Sequence, residues 1–186
     1  MKRVLVVVLA ALGAACGEAG EAAEDVAAEV GAETAPMLRA TASLIDTEGR
    51  SVGEVVLEER AGGVRAMVHV TGFAPGVHAI HLHQVGTCTP PDFMSTGGHF
   101  NPEGRQHGLE NPEGPHAGDM LNIEVGESGE GHFELENERV TLSPGPNSIF
   151  DADGASVVIH AGPDDYRTGP TGEGGMARIA CGVFEQ

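Results

Sequence analysis

The sequence predicts an all-β fold, an antiparallel sandwich or barrel, for residues 37–186. Three observations predict it. Several segments alternate apolar and polar residues with period two, short Gly-containing turn signals separate them, and helical periodicity is weak throughout.

The alternating segments come in order. "LRATASLID" (38–46), "GEVVLEER" (53–60) and "VRAMVHVTGF" (64–73) form the first group. "LNIEVGE" (121–127) and "GHFELENERVTL" (131–142) form the second. "DTEGRS" (46–51) and "GESGEG" (126–131) read as hairpin loops. The apolar run "ASVVI", ending at His160, reads as a further strand. There is no internal repeat.

Between 85 and 120 the alternation fails. Gly, Pro, His and Asn dominate about three dozen residues, and a loop that long within one domain is either functional or disordered. A second irregular stretch, 161–176, follows His160.

The first 36 residues differ from the rest. "MKRVLVVVLAALGAAC" has a basic start, an apolar run and small residues before Cys16, which is the pattern of an export signal and too short to span a membrane. "LGAAC" also resembles a bacterial lipoprotein signal, so Cys16 is expected to carry lipid. Ordinary secretion is the alternative, because Gly13 stands where a large apolar residue is usual. Residues 17–36 hold six acidic and no basic or aromatic residues, the composition of a disordered tether. The expected organisation is therefore signal 1–16, tether 17–36 and one domain over 37–186.

That domain carries 22 acidic residues against eight arginines, with no lysine. Such a charge excludes nucleic acid and anionic membrane surfaces as partners. Membrane contact is expected only through the lipid on Cys16, and nothing in the sequence fixes an oligomeric state. If Cys16 is lipidated, Cys88 and Cys181 remain, and an oxidising compartment allows them to pair.

Histidine carries the chemical signal. "GVHAIHLHQVGTC" (76–88) holds three in six positions, and on a strand His81 and His83 project from one face. Two adjacent imidazoles suit copper or zinc. The long loop adds His99, His107, His116 and Asp119, a donor set for one tetrahedral zinc. His160 ends a strand that can reach the same place. Six histidines and one aspartate exceed a single tetrahedral site, but divide into two if one imidazole binds through both nitrogens.

The motifs "HAIHLHQVG", "GGHFNP", "HGLENPEGPHAGD", "SVVIHAG" and "GGMARIACGVF" occur in this order. In them the chain resembles the copper–zinc superoxide dismutases of the bacterial exported type, over essentially all of 37–186. The resemblance implies a Greek-key, immunoglobulin-like β-barrel or sandwich with long metal-binding loops. It implies copper on His81, His83, His99 and His160, and zinc on His99, His107, His116 and Asp119, with His99 as the bridge. Cys88 and Cys181 match the family's disulfide, and Arg178 the arginine beside copper that receives the substrate anion. Asp164 matches the carboxylate that orients His81 and His107. The implied activity is dismutation of superoxide to dioxygen and hydrogen peroxide, protecting the cell envelope.

His78 is expected to be a buried hydrogen-bonding residue and not a ligand. His69 and His132, on alternating segments, read as surface positions without partners. The absence of lysine departs from the family, and residues 161–177 set Arg167 alone against Asp164, Asp165 and Glu173. Both predict weak electrostatic attraction of superoxide. Thr171 sits one residue away from the family's threonine spacing to Arg178 and is left out of the site.

Overall fold

Residues 37–167 and 176–186 are described by a computed structural model. The signal, Cys16, the acidic tether, Thr171 and Glu173 lie outside the described residues. The described strands are β1 (Arg39–Asp46), β2 (Ser51–Arg60), β3 (Gly63–Val70), β4 (Gly76–His78) and β5 (Ile80–His83), followed by β6 (Ile123–Val125), β7 (Gly131–Asn137), β8 (Ser156–His160) and β9 (Arg178–Val183). Among the described residues there is no α-helix, only a 3-10 turn at Met94–Thr96.

Seven strands form one antiparallel sheet in the order β5-β8-β9-β1-β2-β3-β7, and β4 pairs with β6. Only Ala79 separates β4 from β5, and β6 approaches β7. The small ladder therefore bridges the two edges of the large sheet and curls it towards a barrel. Strands far apart in sequence, β5 with β8 and β3 with β7, are neighbours, which is Greek-key order. The expected immunoglobulin-like β-barrel is the architecture found.

Alternation in sequence becomes burial on one face. Ala40, Ala42 and Leu44 of β1 and Val64, Ala66, Val68 and Val70 of β3 enter one core with Leu57, Ile80, Leu82, Val157 and Ile159. Each fully buried Leu or Ile is worth about 1.5–3 kcal/mol. Strand β8 is buried at every position, because the core lies on one face while Val158 packs on Phe93 and Cys181 on the other.

The first hairpin forms as its sequence predicts. Asp46 Oδ1 accepts the Glu48 and Arg50 amides, both at 2.9 Å, and Gly49 supplies a φ of +79°. The second expected hairpin is different. Residues 126–129 do turn, with the Gly129 amide donating to the Gly126 carbonyl at 3.0 Å. However, no ladder joins β6 to β7, because β3 offers β7 a pairing from Val64 to Val70 and the short β6 is already paired with β4. Strand β7 also stops at Asn137, short of the predicted 142. There Asn137 turns the chain by accepting the Arg139 amide and donating to the Ala117 carbonyl, both at 2.9 Å.

The loop between β5 and β6 is fastened in three ways. Cys88 and Cys181 form a disulfide across 93 positions, a closure that stabilises by roughly 2–5 kcal/mol. Phe93 is wholly buried against Val158 and Cys181, although its φ of +53° is uncommon for a bulky side chain. Finally, the loop backbone pairs along the free edge of β5. Leu82 donates to Gly118 at 2.9 Å and accepts from Phe100 at 2.8 Å, and the Gln84 amide donates to Gly98 at 3.0 Å. A Cβ on Gly118 would sit only 2.2 Å from the Leu82 carbonyl oxygen, so this approach requires glycine.

Candidate metal centre

The fastened loop brings its histidines onto β5. Ile80 and Leu82 face the core, so period two turns His81 and His83 to the opposite side. His160, the last residue of β8, is the cross-strand neighbour of Arg178 at a register irregularity. His83 and His99 face each other across an isolated bridge, as do His81 and Asp119. All six predicted ligand histidines and Asp119 are buried.

One group of four is His81, His83, His99 and His160. In each ring one nitrogen is engaged. His81 Nε2 meets Asp164 Oδ2 at 3.0 Å, His83 Nδ1 the Gly97 carbonyl at 3.1 Å, His99 Nδ1 Asp119 Oδ1 at 2.8 Å and His160 Nδ1 the Met176 carbonyl at 3.4 Å. The other nitrogens, His81 Nδ1 and Nε2 of His83, His99 and His160, are buried without a hydrogen-bond partner and lie within 4.8 Å of one another. Buried polar atoms are rarely left so, and four converging lone pairs fit a metal ion. Burial also disfavours protonation here. It pushes His83 well below its ordinary range, His99 down to about 4 and His160 down to about 3, against partial opposition from hydrogen bonds. Neutral imidazole is the ligand form.

The second group is His99, His107, His116 and Asp119. Nδ1 of these three rings lies 2.8, 3.2 and 3.4 Å from Asp119 Oδ1, and His99 and His116 Nδ1 are 3.4 Å apart. Bonds of about 2.0–2.1 Å to a tetrahedral zinc would separate donors by about 3.3 Å. The donor set fits. Asp119 Oδ2 is fixed by the amides of Gly108 at 2.9 Å and His116 at 3.0 Å. Burial raises the Asp119 carboxyl, but hydrogen bonds from His107, His116, His99 and Gly108 outweigh it and hold the group well below the carboxylate range. At His107 burial lowers and the two carboxylates raise, and the carboxylates prevail at about 10. The negative charge that would hold a proton there equally favours a cation.

His99 belongs to both groups, one through each nitrogen. Asp164 ties the groups together from behind, through Oδ2 to His81 and through Oδ1 to His107 Nε2, each at 3.0 Å. The resemblance implies this role for Asp164, between His81 and His107, although its neighbours in sequence are charged residues near Arg167. Asp164 is buried among these rings, whereas Arg167 is exposed and meets Glu110 at 3.4 Å.

Thr96, Asn122, Tyr166 and Arg139 contribute here although they carried no sequence signal. Arg178 Nη1 donates to the Phe93 carbonyl at 2.9 Å and to Thr96 Oγ1 at 2.6 Å, and Thr96 Oγ1 lies 3.1 Å from His83 Nδ1. A groove of about 370 Å³ between Pro91, Asp92, Met94 and Met176 reaches Arg178. Asn122 holds Asp164 through its amide and carbonyl, at 3.0 and 2.9 Å, and the Asn122 amide donates to the Tyr166 hydroxyl at 2.8 Å. Arg139 donates to the carbonyls of His116 and Asp119. His78, as expected, is buried outside both groups, with its ring nitrogens facing the carbonyls of His160 at 2.9 Å and Ala74 at 3.0 Å. His69 and His132 depart from expectation. They are direct cross-strand partners and stack, with ring centroids 4.3 Å apart.

The sequence profile of the copper/zinc superoxide dismutase family (SODC) matches residues 51–184. The chain belongs to the copper–zinc superoxide dismutase family. Superoxide dismutase [Cu-Zn] 2 of Aquifex aeolicus is 48% identical over 149 residues, covering 79% of this chain and 86% of that one. A superoxide dismutase-like protein from Bacillus subtilis has a crystal structure with a TM-score of 0.72 at 35% identity, covering 77% of this chain and 96% of that chain. The Cu/Zn superoxide dismutase from Brucella abortus gives a TM-score of 0.65 at 28% identity, covering 80% and 100%. The family's copper and zinc thus have two adjacent candidate donor sets in this dismutase fold, and Arg178 lines the groove between Pro91, Asp92, Met94 and Met176.

Proposed function

We propose that His81, His83, His99 and His160 hold copper, that His99, His107, His116 and Asp119 hold zinc, and that the imidazolate of His99 bridges them. The activity is the family's: two superoxide ions and two protons give dioxygen and hydrogen peroxide. Copper supplies the one-electron chemistry when bound, and zinc supplies a fixed charge.

The residues of the chain do the rest. Arg178 offers charge-assisted hydrogen bonds to a small anion in the groove, with Nη1 anchored on Phe93 and Thr96 so that the remainder of the guanidinium is held in place. Whenever His99 Nε2 is not ligated it can take up a proton from water and pass it to the peroxide product, because burial would make it a weak holder of that proton. Asp164 and Gly97 fix the rings of His81 and His83 so that each turns its free nitrogen to the same point. The observation that carries this reading is the set of four buried nitrogens without hydrogen-bond partners.

The sequence supports a wider proposal. The basic and apolar start, the small residues before Cys16 and the acidic stretch 17–36 suit export, lipid anchoring at Cys16 and a tether to the domain at 37–186. Such a protein would remove superoxide in the cell envelope. Cys16→Ser would then release it from the membrane fraction.

Superoxide turnover by the full chain loaded with both metals tests the site assignment. His81→Ala and His160→Ala should abolish turnover while zinc is retained, because each removes a donor that belongs to the first group alone. Full activity in either variant would contradict the assignment of copper.

A further inference from the structure

We propose that His69, His132 and Glu130 form a third metal site, for a divalent ion of the zinc or copper(II) class, on the outer face of the sheet formed by β3 and β7. The site is separate from the dismutase centre and shares no residue with it.

The register of the sheet creates it. His69 of β3 and His132 of β7 are directly opposite in the ladder, both on the outward face. Their rings stack within 9° of parallel, and both Nε2 atoms face the same carboxylate oxygen. Glu130 Oε1 lies 3.6 Å from His69 Nε2 and 3.7 Å from His132 Nε2. These distances are too long for hydrogen bonds. His69 Nε2 is shielded from solvent and has no hydrogen-bond partner, although the ring as a whole is partly exposed.

An ion would fit between Glu130 Oε1 and the two imidazoles once the exposed His132 ring turns out of the stack. With bonds of about 2.1 Å, donors 3.6–3.7 Å apart subtend an angle of about 120° at the metal, near the tetrahedral and trigonal values that zinc adopts. All three donor atoms lie within 4.8 Å of one another, and His132 is 72% exposed, so its ring can turn to complete the set. Two imidazoles and one carboxylate are donors for zinc or copper(II), with water in the remaining positions.

The surroundings favour a cation. The rings line a groove of about 460 Å³ whose walls include Glu54 and Glu134. Glu54 is the β2 residue paired with His69. Arg39 also lines the groove, but the chain as a whole carries a formal charge of −18.

The test is a zinc titration of the full chain already loaded with copper and zinc, counting bound metal after equilibrium dialysis. One further zinc per chain is expected, together with a rise in melting temperature when it binds. His132→Ala and Glu130→Gln change exposed side chains. Each should weaken this extra binding by roughly tenfold or more, since loss of partners that only orient ligands already costs 10–100-fold. The dismutation rate should not change in either variant. Copper(II) as a second probe should add one spectroscopically distinct signal that the same variants lose. No zinc beyond the dismutase centre, or an extra zinc that both variants keep, would overturn the proposal; the second result would move the site elsewhere, for instance to the acidic residues 17–36.

Discussion

Arg178 donates to the Thr96 hydroxyl at 2.6 Å, and that hydroxyl stands 3.1 Å from Nδ1 of His83. The cation proposed to meet the substrate anion is thereby joined, through one buried side chain, to a ring of the proposed copper donor set. Thr96 sits in the turn that also presents the Phe93 and Gly97 carbonyls, so one short segment sets the arginine and the imidazole together.

Thr96→Val keeps the shape and removes the hydroxyl. The guanidinium loses one of its two anchors, and a hydrogen bond to a charged group contributes about 1.5–3 kcal/mol. Dismutation should fall roughly tenfold at unchanged copper content, a change equivalent to about 1.4 kcal/mol in the barrier. Steady-state assays on samples of known metal content would detect this. An unchanged rate would mean that Phe93 alone fixes Arg178.

Asp164→Asn should weaken both donor sets at once. The amide cannot accept from His81 and His107 as the carboxylate does through its two oxygens. Loss of such an orienting partner costs about 10–100-fold in metal affinity. Competition with chelators for copper and for zinc should register both losses. A loss confined to one metal would show that Asp164 supports only one ring.

Much of this site was legible in the sequence, and the reasons differ by residue. His81 and His83 announce themselves because i and i+2 share a face on a strand. His99, His107, His116 and Asp119 stand out because a long Gly/Pro-rich loop has no other use for four donors. Thr96, Asn122 and Tyr166 gave no signal, since each acts only after a loop has docked on another segment. The His69–His132 stack was missed for the same reason: either strand alone shows one surface histidine, and only the β3–β7 register makes them a pair. The β6–β7 turn was read correctly as a turn but wrongly as a hairpin, because sequence does not reveal that β3 competes for β7.

Arg178→Gln should lower the rate by about tenfold or more, because it removes a preorganised charged donor, and tenfold is only about 1.4 kcal/mol of the barrier. Arg167→Gln should change it little, because the Arg167 side chain is 75% exposed and pairs with Glu110. Salt probes the same field. At 0.15 M the screening length is about 8 Å, and the acidic surface beyond it is largely screened. Raising ionic strength should leave the rate unchanged or increase it. A steep fall would reveal local attraction strong enough to outweigh the net charge.

Glu59 offers a pH dependence away from the metals. Its carboxylate accepts from the Leu142 amide, the Ser143 amide and the Ser143 hydroxyl, each at 2.6 Å. Burial raises the carboxyl, but these hydrogen bonds prevail and lower it below its ordinary value of 4.5. A lowered value means that the stabilisation is complete above about pH 4.5 and fades as pH falls through the folded-state value. Glu59→Gln should therefore cost about 1–3 kcal/mol at pH 7, and the difference from the parent should shrink below pH 4.5. Denaturant titrations at both pH values would measure it. An equal difference at both would assign the effect to packing.

The central claim is the division of seven residues into two sets that share His99. Anomalous diffraction at the copper and zinc absorption edges, on crystals of the doubly loaded protein, tests it most directly. The account predicts a copper peak among His81 Nδ1 and Nε2 of His83, His99 and His160, and a zinc peak among Nδ1 of His99, His107 and His116 and Asp119 Oδ1. A single peak in the centre, or copper lying among the second set with the first four nitrogens unligated, would contradict it.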